Sequence, residues 1–221
     1  MCGIIAVLRR QSRRAAPSRE RLRALLAAGE GALTDAPTVD GITAAADELA
    51  ALDRELRGVP GLWALLQDEG LIAELRERAE ALHRRAYAVE AACDGAAAAG
   101  DDVERRNAEL VRLKDQVWAL RRDRAPHAMA VRDLAGGDVP DQRAAAAFSS
   151  IEAALAALDR LEVRGRDSAG VSIIVSGLDT ESPTIQQLLA ARDDDPLFQD
   201  GAVRCADGSL NFVYKLSLIH I

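Results

Sequence analysis

Through most of the chain, apolar residues recur at alternating spacings of three and four. Ile42, Ala45, Leu49, Leu52 and Leu56 form one such stripe. Ile72, Leu75, Ala79, Leu82, Ala86, Val89 and Cys93 form a longer one, and Leu110, Leu113, Val117 and Leu120 a third. This spacing puts each set on one face of a helix and suits helices packed in a coiled-coil-like manner. The intervening residues are rich in Ala, Leu, Glu and Arg, all strong helix formers. A helix start is signalled at Pro17-Ser18, and breaks fall at Thr34 to Gly41, Gly58 to Gly61, Gly95 to Asp102 and Gly136-Gly137 to Pro140. The pattern predicts an all-helical antiparallel bundle or hairpin over residues 12–147.

The pattern changes at the two ends of this segment. Ile4-Ile5-Ala6-Val7-Leu8 is a short continuous apolar run that reads as a buried strand. Phe148, Ile151, Leu155, Leu158 and Leu161 recur at helical spacing and predict a helix with one buried face, stopped by Gly165. Val171 to Val175 is β-branched and reads as a strand, and Thr184 to Arg192 reads as a short helix after Pro183. Asp207-Gly208 predicts a hairpin turn leading into Leu210 to Leu216. The fold class expected from these elements is α+β.

Composition narrows the function classes. The net charge is -7, which argues against a nucleic-acid or anionic-membrane surface and favours a small-molecule partner. Only 3% of residues are aromatic, so the core must be built mainly from Ala, Leu and Val. The three cysteines, Cys2, Cys93 and Cys205, fit neither a disulfide framework nor a zinc pattern. The run Asp193-Asp194-Asp195 lacks the spaced ligands of a calcium loop. No apolar run approaches a membrane span, and the basic cluster Arg9 to Arg14 follows the first apolar run where a signal peptide would have it precede. A cytoplasmic protein is expected, with no metal or organic cofactor. His83 falls beside a stripe and His127 in a loop after Pro126, neither with ligand-spaced partners. Trp63 and Trp118 read as anchors of helix contacts or of a partner surface.

Cys2 is the residue with the most chemistry. Methionine is trimmed readily ahead of a small side chain, and removal of Met1 would give Cys2 both a thiol and a free α-amine, with ordinary pKa values of about 8.5 and about 8. The amine, directly or through one water, can then take the thiol proton, and the thiolate can attack a carbonyl without a separate histidine. Alternatively, Cys2 is a small hydrophobe at the start of a core strand, and the run 1–8 by itself does not choose between the two.

A second stretch, Leu161-Glu162-Val163-Arg164-Gly165-Arg166-Asp167-Ser168-Ala169-Gly170, leads into the strand at Val171. Paired with Met1-Cys2-Gly3-Ile4-Ile5, it resembles the class II glutamine amidotransferases, whose domain has the N-terminal-nucleophile hydrolase αββα fold. Within that family the likeness is greatest to the glutamine:fructose-6-phosphate aminotransferases and nearly as great to the amidophosphoribosyltransferases. It covers residues 1 to about 9 and about 148 to 176. The resemblance implies that Cys2 is the catalytic nucleophile, that Arg164 and Gly165 help to shape its pocket, and that Asp167 fixes the turn between helix and strand. Read without the family, Arg164 is a solvated arginine favoured by a helix C-terminus. The substrates implied are glutamine and a sugar-phosphate acceptor, fructose 6-phosphate being converted to glucosamine 6-phosphate.

The domain reading is then a partial amidotransferase domain at 1–11 and 148–215, interrupted by the helical module 12–147. The module reads as a structural or oligomerisation element, so a homo-oligomer is among the expected assemblies. Three further features of the family's glutamine site have no match: an Arg-Trp motif, an Asn-Gly pair that builds the oxyanion hole, and an aspartate for the α-amine. Loss of an oxyanion donor alone lowers rates by about 10²–10³. The last residues, 216–221, resemble a translated adapter scar. The chain is therefore expected to be the N-terminal piece of a longer enzyme, inactive by itself. The rival expectation is a non-catalytic helical interaction protein that keeps a relic of the domain.

Overall fold

The computed structural model describes residues 4–9, 12–34, 37–94, 101–162, 168–192, 194–196 and 202–217. Among these the protein is α+β and mostly helical, with one small antiparallel sheet. The chain divides into two compact units, Arg9–Glu152 and Met1–Leu8 with Ala153–Ile221.

The first unit is a helical bundle. Helix α1 (Arg19–Ala32) begins where Ser18 accepts a hydrogen bond from the Arg21 amide at 3.1 Å, and α2 (Val39–Leu56) where Thr38 accepts from the Gly41 amide at 3.2 Å. Both caps satisfy amides that a helix leaves unpaired in its first turn. Helix α3 (Gly58–Leu66) follows after Arg57 alone, because Gly58 adopts φ +71° and turns the chain sharply. Helix α4 (Glu69–Asp94) is the longest α-helix of this unit. Helix α5 (Asp101–Trp118) continues through a π-helical turn (Ala119–Arg124) into α6 (Ala125–Leu134). Helix α7 (Gln142–Glu162) opens with Asp141 accepting from the Ala144 amide at 2.8 Å, and the boundary between the two units falls within it.

The stripes read from the sequence form the core. Ile42, Ala45, Leu49, Leu52 and Leu56 of α2 are buried, as are Ile72, Leu75, Ala79, Leu82, Ala86 and Val89 of α4 and Leu110, Leu113, Val117 and Leu120 of the long helix. Helix α2 lies between α1 and α5 and packs on both. The approach of α1 to α2 is close at Gly29, where an added Cβ would lie 2.7 Å from a Leu49 methyl carbon. Gly61 is tighter still, since a Cβ there would sit 2.2 Å from the Leu56 carbonyl carbon.

Charged groups tie the helices at their ends and along their edges. Arg14 donates to the carbonyls of Arg54, Glu55 and Arg57, so a cation meets the C-terminus of α2. Arg85 of α4 does the same for α1 through the carbonyls of Glu30 and Leu33. Arg78 bridges Glu30 of α1 and Glu74 of its own helix at 2.5 and 2.8 Å. Asp53, buried on α2, accepts from Arg57 and, at 2.8 Å, from Nε of Arg124 in the π turn.

In the second unit β1 (Ser168–Ser176), β2 (Val203–Ala206) and β3 (Ser209–Ser217) form a sheet of order β1-β3-β2. Strand β1 pairs with β3 from Ser168↔Ser217 to Ser176↔Ser209, and β2 with β3 from Val203↔Phe212 to Ala206↔Ser209. The β2–β3 hairpin turns at Asp207 and Gly208, with φ values of 51° and 70°, the left-handed pair that a two-residue hairpin requires. Helix α8 (Pro183–Ala190), capped by Ser182, buries no residue.

Two expectations are corrected here. Residues 4–8 form no strand: Ile4 is 95% and Leu8 94% exposed, and no described strand pairs with them. An apolar run becomes a strand only where a ladder and a covering layer exist, and the described residues supply neither. The apolar face of α7 is likewise only partly buried, with Ile151 and Leu158 half-buried and Leu155 exposed. Every fully buried side chain among the described residues belongs to Arg9–Glu152.

Candidate functional site

The four residues assigned chemistry by resemblance, Cys2, Arg164, Gly165 and Asp167, lie outside the described residues. What the structure describes is where the flanks of their two segments run. The segment carrying Cys2 leads to Arg9, and the helix leading towards Arg164 is α7, which contains Ser149. Arg9 and Ser149 are joined directly. The Arg9 guanidinium donates through Nη2 to Ser149 Oγ at 2.6 Å and to the Ser149 carbonyl at 3.0 Å.

Ser149 is buried, and its hydroxyl meets a second group. His127 Nε2 lies 2.8 Å from Ser149 Oγ, and His127 Nδ1 lies 2.5 Å from Glu152 Oε2. Arg9 donates to Oγ, Nδ1–H donates to the Glu152 carboxylate, and Nε2 and the Ser149 hydroxyl share the third hydrogen bond. Burial pushes the Arg9 guanidinium below its ordinary pKa, and the Glu152 carboxylate pulls it back up.

The order serine, histidine, carboxylate is that of a hydroxyl relay. Its setting is that of a clasp. The Ser149 Oγ is covered by a guanidinium and 1% of the residue is exposed, so a substrate carbonyl has no approach to it. The cluster fixes the imidazole ring between two turns of α7 and holds Arg9 on the helix. Each member is satisfied by the next, so the one buried hydroxyl, that of Ser149, carries no uncompensated desolvation cost.

Local sequence explains how the cluster is built. Ser149 and Glu152 are three residues apart and share a face of α7, next to the buried Ala145. His127 stands in helix α6, not in the loop that Pro126 suggested. Proline normally ends a helix because it lacks an N–H and clashes with the carbonyl four residues back. Here the π turn at 119–124 precedes it, with the Ala125 amide bonding back to the Leu120 carbonyl, and Pro126 takes a first-turn position where neither penalty applies. In the sequence, His127 carries no sign of its partners, because Ser149 and Glu152 come from another helix.

The remaining candidates separate. Cys205 is exposed with a free thiol on β2, and Cys93 has no described side chain. His83 stacks against Tyr87 with ring centroids 4.7 Å apart, and Trp63 packs on the core. Among the described residues no group of three or more His, Cys, Asp or Glu side chains is placed to hold a metal ion. No helix among them is long and apolar enough to cross a membrane. Among known proteins, no family model, no curated protein and no solved structure matches the chain.

Proposed function

We propose that the chain is the nucleophile-bearing part of a glutamine amidotransferase of the N-terminal-nucleophile class. The observation that carries the reading is the ordered pair of motifs, Met1-Cys2-Gly3-Ile4-Ile5 and Arg164-Gly165-Arg166-Asp167-Ser168-Ala169-Gly170, the second running straight into a strand. Support comes from β1, which starts at Ser168 inside that motif, and from the Arg9–Ser149 hydrogen bonds, which join the flank of one segment to the helix leading into the other.

In this reading the α-amine of Cys2 takes the thiol proton and the thiolate adds to the γ-amide carbon of glutamine. The Cys2 α-ammonium returns that proton to the amide nitrogen, and the tetrahedral intermediate collapses with loss of ammonia, leaving a γ-glutamyl thioester. Water then adds to the thioester, releasing glutamate and restoring the thiol. Arg164 and Gly165 border the pocket and Asp167 holds the turn between α7 and β1. The ammonia passes to a sugar phosphate, fructose 6-phosphate being the acceptor that the fuller motif favours and a phosphoribosyl acceptor the alternative. The oxyanion donors and glutamine clamp required by this chemistry are assigned to sequence beyond the matched motifs.

A second reading, a helical interaction protein that retains a relic of the domain, is favoured by the distribution of burial. The helical unit contains every fully buried side chain among the described residues. The two readings separate on one substitution. Cys2→Ser should abolish glutamine-dependent synthesis while ammonia-dependent synthesis persists. Glutamine use retained by the variant would refute the nucleophile assignment.

A further inference from the structure

The long helix 101–134 carries a second stripe, on the side away from its core contacts. Leu110, Leu113, Val117, Leu120, Ala125 and Ala128 face the bundle, whereas Val111, Asp115, Trp118, Arg122, Pro126 and Met129 are all exposed. Trp118 is 60% exposed and Val111 55%. Scattered single apolar residues on a surface need no explanation, but a tryptophan centred in a stripe at helical spacing does. We infer that this stripe is the seam of a two-fold homodimer, in which the helix packs antiparallel against its own copy with Trp118 at the axis.

The stripe reads nearly the same from both ends. Asp115 stands three residues before Trp118 and Arg122 four after it. Val111 and Pro126 stand seven before and eight after. An antiparallel pairing about Trp118 therefore sets each Val111 against a Pro126, and each Asp115 against an Arg122 of opposite charge. Such a surface complements itself, which is what a two-fold interface requires.

Charge bookkeeping along the helix favours the same partner. Lys114 is paired with Glu90, Arg121 with Glu80, Arg124 with Asp53 and Arg132 with Glu69. The side chains of Asp115 and Arg122, the two charges on the stripe, make no salt bridge or hydrogen bond among the described residues, and the opposite charges that reach them electrostatically, Lys114 and Glu80, are each already paired, with Glu90 and Arg121. A second copy provides the opposite charge to both at once. Tyr87 of α4, its ring beneath the Lys114 ammonium at 4.9 Å, is also exposed and flanks the stripe. The apolar seam is about 30 Å long. That is a small interface, so the dimer should be reversible, with a Kd in the micromolar range.

Sedimentation equilibrium from about 1 to about 200 µM, a range that brackets such a Kd, tests the proposal. Wild type should interconvert between monomer and dimer. Trp118→Glu should weaken association by about 100-fold or more, since tryptophan is among the residues enriched at the centre of interfaces as hot spots. Asp115→Arg and Arg122→Asp should each weaken it about tenfold, because symmetry doubles each like-charge contact. The double variant Asp115→Arg with Arg122→Asp should restore it, a result that a general loss of folding could not produce. A monomer at every concentration, a dimer indifferent to Trp118→Glu, or a double variant no better than the singles would each overturn the proposal.

Discussion

Arg9 donates two hydrogen bonds to Ser149, at 2.6 Å to Oγ and 3.0 Å to the carbonyl, across 140 residues of sequence. Through Ser149 it is coupled to His127 and, through the imidazole, to Glu152. Removing the hydroxyl takes from the Arg9 guanidinium and the His127 ring nitrogen their common partner. Ser149→Ala should therefore destabilise the helical unit by about 1–3 kcal/mol in urea titrations. A double-mutant cycle with Arg9→Ala should show coupling of about 1 kcal/mol. Strict additivity would mean that the Arg9–Oγ hydrogen bond contributes nothing to folding.

Asp53 is the buried carboxylate on which the π turn closes. Replacing it with alanine leaves the mostly buried Arg124 with only the exposed Asp123 as counter-charge, and should cost about 2 kcal/mol. The corresponding measurement is the chemical-denaturation midpoint of Asp53→Ala against wild type. A loss below about 0.5 kcal/mol, within the range of ordinary surface substitutions, would contradict the pairing.

Two glycines should respond in opposite directions. Gly61→Ala forces a Cβ into the Leu56 backbone and should destabilise by about 3 kcal/mol. Gly31→Ala meets nothing within 4 Å on α1 and should stabilise by about 0.5–1 kcal/mol through helix propensity. Thermal melts of the two variants give the signs directly.

Acid should loosen the link between α1 and α4. The Arg23 hydrogen bond, aided by Arg78, holds the Glu74 carboxyl below its ordinary pKa, and desolvation opposes them only in part. A carboxylate with a depressed folded-state pKa contributes stability above its unfolded value and loses it as pH falls through the folded value. The Tm of wild type should therefore fall more steeply below the ordinary glutamate range than that of Glu74→Gln. Parallel Tm curves for the two proteins would remove Glu74 from the acid response.

The helical unit was largely legible because its information is periodic. Leu49, Leu82 and Leu113 sit on stripes whose spacing alone assigns them to the core, and they are buried. The hairpin at Asp207-Gly208 was legible for a different reason, since those residue types tolerate the left-handed backbone the turn needs. Cross-helix polar pairs leave no such trace. Asp53 follows Leu52 on an apolar stripe, and its partner Arg124 lies in a π turn that no residue type announces. His127 was misplaced for the same reason, because a proline was read locally while the preceding turn decided its effect. Ile4 to Leu8 has strand composition, but burial depends on what covers a segment, and a strand pattern cannot carry that. Of the candidate site, Cys2, Arg164, Gly165 and Asp167 rest on the motif resemblance, while the Arg9 clasp is visible only in three dimensions.

The central claim is that Cys2, freed of Met1, is a nucleophile aimed at glutamine. It is tested most directly by treating the protein with a diazoketone analogue of glutamine and mapping the adduct by mass spectrometry. The account predicts a single adduct on an N-terminal Cys2, formed after Met1 has been removed, suppressed by excess glutamine and absent in Cys2→Ser. Retention of Met1, or labelling that glutamine does not suppress and that falls equally on Cys205, would contradict it.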